Sequence, residues 1–236
     1  MERYYNIAGL TVRMDTFGRA LQQAQAYEIE PTDKIDIQIE SNWQERKRLH
    51  PGWPDEICEY MATGGDFYKK LFHFDGIMFH ASAVVVDGRA YLFSADPGTG
   101  KSTHTKLWLD YFGERAFILN DDKPALRLVD GCWMAYGTPW SGKHDISANI
   151  GVPVAGIAML HRGEENVITP WQGAEVVQAM MRQVNRPREM AYRIKLLEIM
   201  DLLIRQIPVW KLNCNMEPEA VQVSYKAMSG QMIEKI

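Results

Sequence analysis

Hydrophobic positions along this chain change period several times, and each change marks an expected element. Near the start, Tyr4 to Val12 reads as an early strand, and Lys34 to Glu40 (KIDIQIE) alternates cleanly with Ile35, Ile37 and Ile39 on one face. Residues 41–65 then turn polar around Pro51-Gly52-Trp53-Pro54, the composition of a long loop or linker. A connection of that length is unusual inside a compact domain and suits a segment that covers a site or meets a partner; a disordered surface segment fits the same residues.

Beyond it, Ile77 to Val86 (IMFHASAVVV) and Ala90 to Phe93 (AYLF) are β-branched and aromatic runs parted by Asp87-Gly88, which predicts a hairpin. Ser102 to Phe112 carries Leu107, Leu109, Tyr111 and Phe112 with no Pro or Gly, which predicts a helix, and Ala116 to Leu119 predicts a strand. Val154 to Leu160 and Val167 to Thr169 follow as strands, then Gly173 to Val184 and Glu189 to Gln206 as helices. In the second helix Ile194, Leu197, Ile199, Leu202 and Leu203 recur near helical spacing, the pattern of a packed amphipathic face. Met180, Met181, Met190 and Met200 belong to the same apolar faces as gap fillers. Pro208 to Asn213 reads as a last strand and Pro218 to Met228 as a last helix, with proline in its first turn. The whole predicts an α/β fold as one domain over residues 1–236: a β-rich N-terminal flank and loop to residue 70, a core over 75–150, and C-terminal helices. No internal repeat is visible.

Chemistry concentrates where the hairpin meets the helix. Ser94 to Thr103 reads SADPGTGKST, and Gly98-Thr99-Gly100-Lys101-Ser102 matches the working half of a phosphate-cradling loop. In such a loop successive backbone N–H groups curl around phosphates, the lysine reaches the same oxygens, and the next hydroxyl is a Mg²⁺ ligand. Glycines let the backbone approach without a Cβ. The full pattern G-x-x-x-x-G-K-[ST] asks for glycine where Ala95 stands. The flanking strand and helix match the context the loop needs, since the positive end of the helix then faces the anion.

Asn120-Asp121-Asp122 closes the next strand, and paired carboxylates at a strand end suit phosphoryl transfer, one assisting a metal and its neighbour accepting a proton. Asn-Asp-Asp-Lys-Pro is also an ordinary polar turn composition. His80 lies one hairpin before the loop, among apolar residues where a satisfied structural histidine is equally natural. Tyr136 to His144 (YGTPWSGKH) is a loop that places Lys143 within possible reach of a transferring phosphate, or in solvent.

Taken together, His80-Ala81-Ser82, Ala95-Asp96-Pro97-Gly98-Thr99-Gly100-Lys101-Ser102 and Asp121-Asp122 resemble the kinase core of HPr kinase/phosphorylase, a compact version of the phosphoenolpyruvate carboxykinase-type nucleotide fold. The likeness extends to small bacterial HPr-kinase-related proteins with an Asn-Asp-Asp-Lys-Pro segment and a Gly-Thr-Pro-Trp-x-Gly-Lys loop, which include kinases of peptide-modifying gene clusters. It is specific over roughly residues 77 to 145. The resemblance implies an HPr-kinase-like P-loop serine kinase using ATP and Mg²⁺ on a peptide or protein serine. Asp96, Pro97, Gly98, Thr99, Gly100, Lys101, Ser102 and Thr103 would then bind the nucleotide, Ser102 and Asp122 the metal, Asp121 would be the base, and His80 would line the reacting centre. Lys143 is a catalytic candidate from its loop and the small related proteins. Two departures stand out: the family segment that follows the paired Asp is replaced by the Thr138 to Lys143 loop, and no basic C-terminal helix is evident. HPr itself and reverse phosphorolysis therefore do not follow from the likeness. A nucleotide-binding regulatory module without transfer, or an NTPase acting on a metabolite or on water, stays open at this point.

Composition narrows the setting. With 26 Lys and Arg against 30 Asp and Glu, the net charge is −4, and no basic block offers a footprint for nucleic acid or an anionic membrane. Cys58, Cys132 and Cys214 are odd in number and far apart, which suits neither a disulfide framework nor a zinc site. The opening MERYYNIAGL lacks a long apolar segment, and no window reaches the ~18 apolar residues of a membrane span. The expectation is a soluble cytoplasmic protein, compatible with a homo-oligomer.

Overall fold

The computed structural model describes residues 2–230, so the ends of a 1–236 domain lie outside the described residues. Strands β1 (Arg3–Ile7) and β2 (Leu10–Met14) form a hairpin rather than the single strand expected over Tyr4 to Val12. Ala8 and Gly9 make the turn, both at positive φ. Helix α1 (Gly18–Ala24) follows, then two-residue strands β3 (Glu28–Ile29) and β4 (Ile37–Gln38), which complete a sheet in the order β3-β1-β2-β4. The alternating KIDIQIE run is thus mostly irregular; Ile37 and Ile39 are buried, but only Ile37–Gln38 pairs, parallel to β2.

The largest correction concerns residues 41–65. Instead of a loop they form α2 (Trp43–Leu49) and most of α3 (Asp55–Lys70). Pro54 precedes the first turn of α3, and Asp55 and Glu56 sit in that turn, where carboxylates complement the helix dipole. Gly64 lies inside α3 because Trp140 packs there: a Cβ at Gly64 would sit 2.8 Å from the indole. Trp140, 1 % exposed, stacks on Phe67 at 4.8 Å between ring centroids and donates to Thr63 Oγ1 at 3.3 Å. Tertiary packing overrides the weak helix propensity of Gly64-Gly65 here.

The second sheet holds the rest of the strands. Ile77 to Val86 is two strands, β5 (Gly76–Met78) and β6 (Ser82–Val86), interrupted at Phe79–Ala81. The predicted Asp87-Gly88 turn joins β6 to β7 (Arg89–Ser94), antiparallel, and β7 runs into the phosphate-loop sequence and α4 (Lys101–Phe112). β8 (Ala116–Asn120) pairs antiparallel with β6. A hairpin absent from the sequence reading follows, β9 (Ala125–Val129) and β10 (Cys132–Tyr136) around Asp130-Gly131. β11 (Gly151–Arg162) pairs at one end with β10 and at the other, in parallel, with β7. β12 (Val167–Pro170), α5 (Ala174–Met181), α6 (Met190–Gln206), β13 (Val209–Cys214) and α7 (Glu219–Ser229) complete the chain, with β13 parallel to β11 and antiparallel to β12. The architecture is mixed α/β.

Period-2 alternation explains the layers. Ala83, Val85, Leu92, Ile157 and Met159 point to one face and pack on Val176, Met180, Leu196 and Leu203 of α5 and α6. Val84, Val86, Tyr91, Phe93 and Ala158 point to the other and pack on Trp108, Phe112, Tyr225 and Met228 of α4 and α7. Covered on both faces, these strands are apolar throughout, which is why Val84-Val85-Val86 shows no alternation. On α6 the apolar residues split into two stripes: Leu196, Ile199, Met200 and Leu203 are buried, whereas Met190, Ile194 and Leu197 face solvent, contrary to the single packed face expected.

Candidate functional site

Geometry at the site follows from three strand ends. β7 ends at Ser94, and the chain turns through Ala95 to Gly100 before α4 begins. Thr99 N–H donates to Asp96 C=O at 3.2 Å, and Gly98 (φ +79°) and Gly100 (φ +125°) occupy conformations that L side chains rarely adopt. No atom lies within 4 Å of a Cβ built on either glycine, so here the backbone conformation, not crowding, calls for glycine. The Lys101 ammonium bends back over the loop to donate to Ala95 C=O at 3.0 Å, leaving two protons for an anion. Burial lowers its pKa, with Asp122, Asp121 and Asp96 partly offsetting the shift. Asp96, Pro97, Ser102 and Thr103 are exposed.

β6 and β8 bring the carboxylates to this loop. Their antiparallel register pairs Ala83 with Asn120, which sets Ser82 beside Asp121. Asp121 receives two hydroxyls: Ser82 Oγ donates to Oδ1 at 2.7 Å, and Ser102 Oγ donates to Oδ2 at 3.1 Å. Asp122 has different partners. His80 Nε2 lies 3.3 Å from its Oδ1, and Lys123 forms an ion pair with Oδ2. Burial alone would raise the Asp122 pKa, but the His80 hydrogen bond and the Lys123 charge outweigh it and hold the carboxyl at about 2.

Asn120 is the structural member of Asn-Asp-Asp-Lys-Pro. Fully buried, it accepts from the Asp122 N–H at 3.0 Å and the Lys123 N–H at 2.7 Å, and donates to Thr138 C=O at 3.0 Å. Thr138 Oγ1 in turn donates to Lys123 C=O at 2.9 Å and meets the buried Tyr68 hydroxyl at 2.9 Å. This network fixes the angle at which Asp121 and Asp122 leave β8.

The loop carrying Lys143 closes over Asp122. At Gly142 (φ +77°) a Cβ would lie 2.8 Å from Asp122 Cβ; its N–H donates to the Tyr60 hydroxyl at 3.2 Å, and its C=O accepts from Arg19 and Gln23. The Lys143 side chain is exposed, with no polar partner among the described residues. The structure thus joins Ser102 to Asp121 and His80 to Asp122 by direct contact and sets Lys101 within the field of both aspartates, while Lys143 approaches only through its neighbour.

Among solved structures, the HPr(Ser) kinase/phosphatase of Coxiella burnetii resembles this chain at 13% identity and a TM-score of 0.38, over 64% of this chain and 93% of that one. No family model and no curated protein matches the chain. A likeness this remote bears on neither activity nor substrate.

Four residues outside the sequence reading join the site. Ser82 was visible only as part of the His80-Ala81-Ser82 run. Thr105 Oγ1, 3.0 Å from Ser82 Oγ, sits one turn into α4. Gln183 accepts the His80 N–H at its C=O (2.7 Å) and holds His80 Nδ1 at 3.3 Å through its side chain. Arg162 clasps the loop itself, donating to Gly98 C=O at 2.5 Å and Thr99 C=O at 3.2 Å. Parallel pairing sets Met159 opposite Ser94, so the chain reaches Arg162 just past the end of β7; no motif announces such a residue. Beside the loop, a cavity of about 460 Å³ is lined by Gly98, Gly100, Thr103, His104, Leu107 and Asn215, among others. His104 inside it is neutral at ordinary pH, its pKa pushed down to about 4 by burial.

As for a metal, no cluster of three or more His, Cys, Asp or Glu is present among the described residues. Mg²⁺ does not require one, because it retains waters and phosphate oxygens and takes only one or two protein oxygens. Ser102 Oγ and the Asp121 carboxylate, 3.1 Å apart, are hard oxygen donors of that kind.

Proposed function

We propose that this chain is an ATP- and Mg²⁺-dependent phosphotransferase that moves the γ-phosphoryl group to a serine hydroxyl of a peptide or protein. The observation that carries the reading is the contact between Ser102, at the head of α4 behind the Gly98–Gly100 turn, and Asp121, at the end of β8, with Asp122 and His80 beside them.

In this reading the loop amides and the Lys101 ammonium bind the β- and γ-phosphates, and Arg162 keeps the loop in shape. Ser102 and Asp121 would hold Mg²⁺, which supplies charge neutralisation of the phosphates when bound. The family resemblance implies Asp121 as base and Asp122 as metal ligand. The contacts favour the reverse, because Asp121 is the carboxylate joined to Ser102. Asp122 then accepts the proton of the incoming hydroxyl, His80 orients it, and Lys123 keeps it ionised. A carboxyl with a pKa near 2 is a weak base. That suffices where the transition state is loose and the hydroxyl loses its proton late. Lys143, carried by the loop against Asp122, would reach the transferring phosphoryl oxygens.

Incubating the full chain with γ-labelled ATP, Mg²⁺ and a library of serine peptides tests the reading. Label should appear as phosphoserine and form about a hundredfold more slowly with Asp122→Asn. Label released only to water, or nucleotide bound without any turnover, would overturn it.

A further inference from the structure

A second cavity, of about 350 Å³, shares no residue with the phosphate loop and carries an unusual charge. Its lining includes Arg46, Lys69, Lys123, Arg186 and Arg188, with Glu189 as the acidic member. Lys69 takes up Glu189 in an ion pair at 2.5 Å. Arg46, Arg186 and Arg188 have no carboxylate partner among the described residues. In a chain of net charge −4 this concentration of cations runs against the overall balance.

The cavity also abuts the reacting centre through one covalent neighbour and one shared connection. Lys123 in its lining follows Asp122 directly, and its carbonyl accepts from the Tyr68 hydroxyl, also in the lining, at 2.5 Å. Arg186 and Arg188 belong to the irregular connection between α5 and α6, and Gln183 of the same connection holds both the backbone and the ring of His80. One segment therefore positions His80 and presents two unpaired guanidinium groups a few residues on.

Resting on the phosphotransferase reading, we infer that this cavity is the acceptor subsite, and that it takes an acidic peptide in which carboxylates flank the serine. Lys123 is paired with Asp122, as Lys69 is with Glu189, so the cations left for a ligand are Arg46 of α2 and Arg186 and Arg188 of the α5–α6 connection, on two separate segments. Charge spread in this way matches several carboxylates along an extended chain better than one compact phosphate, which calls for convergent donors. Arginine's planar fork suits a carboxylate on each peptide side chain.

The test uses the full chain, fluorescein-labelled serine peptides of equal length with acidic, neutral or lysine flanks, and the double variant Arg186→Ala/Arg188→Ala. Both arginines are exposed, so the fold should survive, and unchanged Mg²⁺-ATP binding checks that it has. Anisotropy should show the acidic peptide binding at least about tenfold tighter than the neutral one, with the difference lost in the variant and shrinking as salt rises. Phosphoryl transfer should follow the same order. Serine peptides phosphorylated without regard to flanking charge, or a variant as good as the wild type, would overturn the inference while leaving the phosphotransferase reading intact. Acidic peptide bound through the arginines but never phosphorylated would keep the subsite and remove the phosphotransferase reading. Citrate or inorganic phosphate binding through the arginines while peptides bind without charge preference would replace the peptide with a small anion and overturn the inference as stated.

Discussion

The glycines on the two sides of Asp121 and Asp122 do different work. On the side of the β7–α4 turn, Gly98 and Gly100 stand in open space and are needed only for their backbone angles. On the side of the Gly137–Lys143 loop, Gly64, Gly137 and Gly142 are crowded: their added Cβ atoms would meet Trp140, the Ala148 carbonyl and Asp122 respectively. One side is an open turn whose glycines answer to backbone angle alone. The other is a packed joint in which an N-terminal helix, a loop and a strand end hold one another. The paired carboxylates are thus aimed by long-range packing, while the Gly98–Gly100 turn takes its shape from its own backbone angles and from one distant clasp, Arg162.

Substitutions can break that contrast, beginning with the most severe. Lys101→Ala should lower phosphoryl transfer by about a thousandfold or more, with the unfolding midpoint in urea nearly unchanged, because the ammonium serves the cradle and not the core. Asp121→Asn and Asp122→Asn should separate by phenotype. Titrated calorimetrically, the first should weaken Mg²⁺-ATP binding, whereas the second should bind Mg²⁺-ATP normally and turn over about a hundredfold more slowly. Equal loss of metal-nucleotide affinity in both would show that the two carboxylates act as one unit.

Trp140→Ala sharpens the comparison from the packed side. Removing a buried indole that stacks on Phe67 should cost about 3–5 kcal/mol in denaturant unfolding, and transfer should fall with it because the Gly142 backbone no longer bears on Asp122. Acid should act on the side of the β7–α4 turn instead. Burial holds His104 at a pKa of about 4, against 6.5 for an ordinary histidine, so between those values the unfolded chain takes up a proton that the folded chain refuses. Stability therefore falls as pH drops through that window, by about 3 kcal/mol from this residue alone, and is full above it. His104→Gln should flatten the slope of urea-unfolding free energy between pH 7 and 4.5. The glycine substitutions are milder: at Gly142→Ala, φ +77° and the approach to Asp122 together should cost about 1–3 kcal/mol, and Gly98→Ala, which meets only the backbone term, should cost less.

The same division explains what the sequence made legible. The β6–β7 hairpin, the helix after Lys101 and the strand ending at Asn120 could be read because turn, period and motif lie within a few residues of each other. The α2–α3 pair could not, because Pro51-Gly52-Trp53-Pro54 and Gly64-Gly65 resemble a loop until Trp140, more than seventy residues away, is known to need the gap. The β9–β10 hairpin was legible in principle, since Asp130-Gly131 parts two apolar runs as Asp87-Gly88 does, and both aspartates take positive φ. At the site, spacing pointed to Lys101, Ser102, Asp121 and Asp122. Only the β6–β8 register shows which carboxylate meets Ser102. Gln183 and Arg162 carry no local signal, because the α5–α6 connection and strand pairing bring them beside His80 and the Gly98–Gly100 turn.

The central claim is that Ser102 and Asp121 together receive the metal of a bound nucleotide triphosphate. A crystal structure with Mg²⁺ and a non-hydrolysable ATP analogue tests it directly. Phosphates should be wrapped by the amides of residues 98–102, with Mg²⁺ held by Ser102 and Asp121 and with Asp122 left beside His80. Phosphates bound away from that turn, or a metal held by Asp122 with Asp121 still bonded to Ser82 and Ser102, would contradict it.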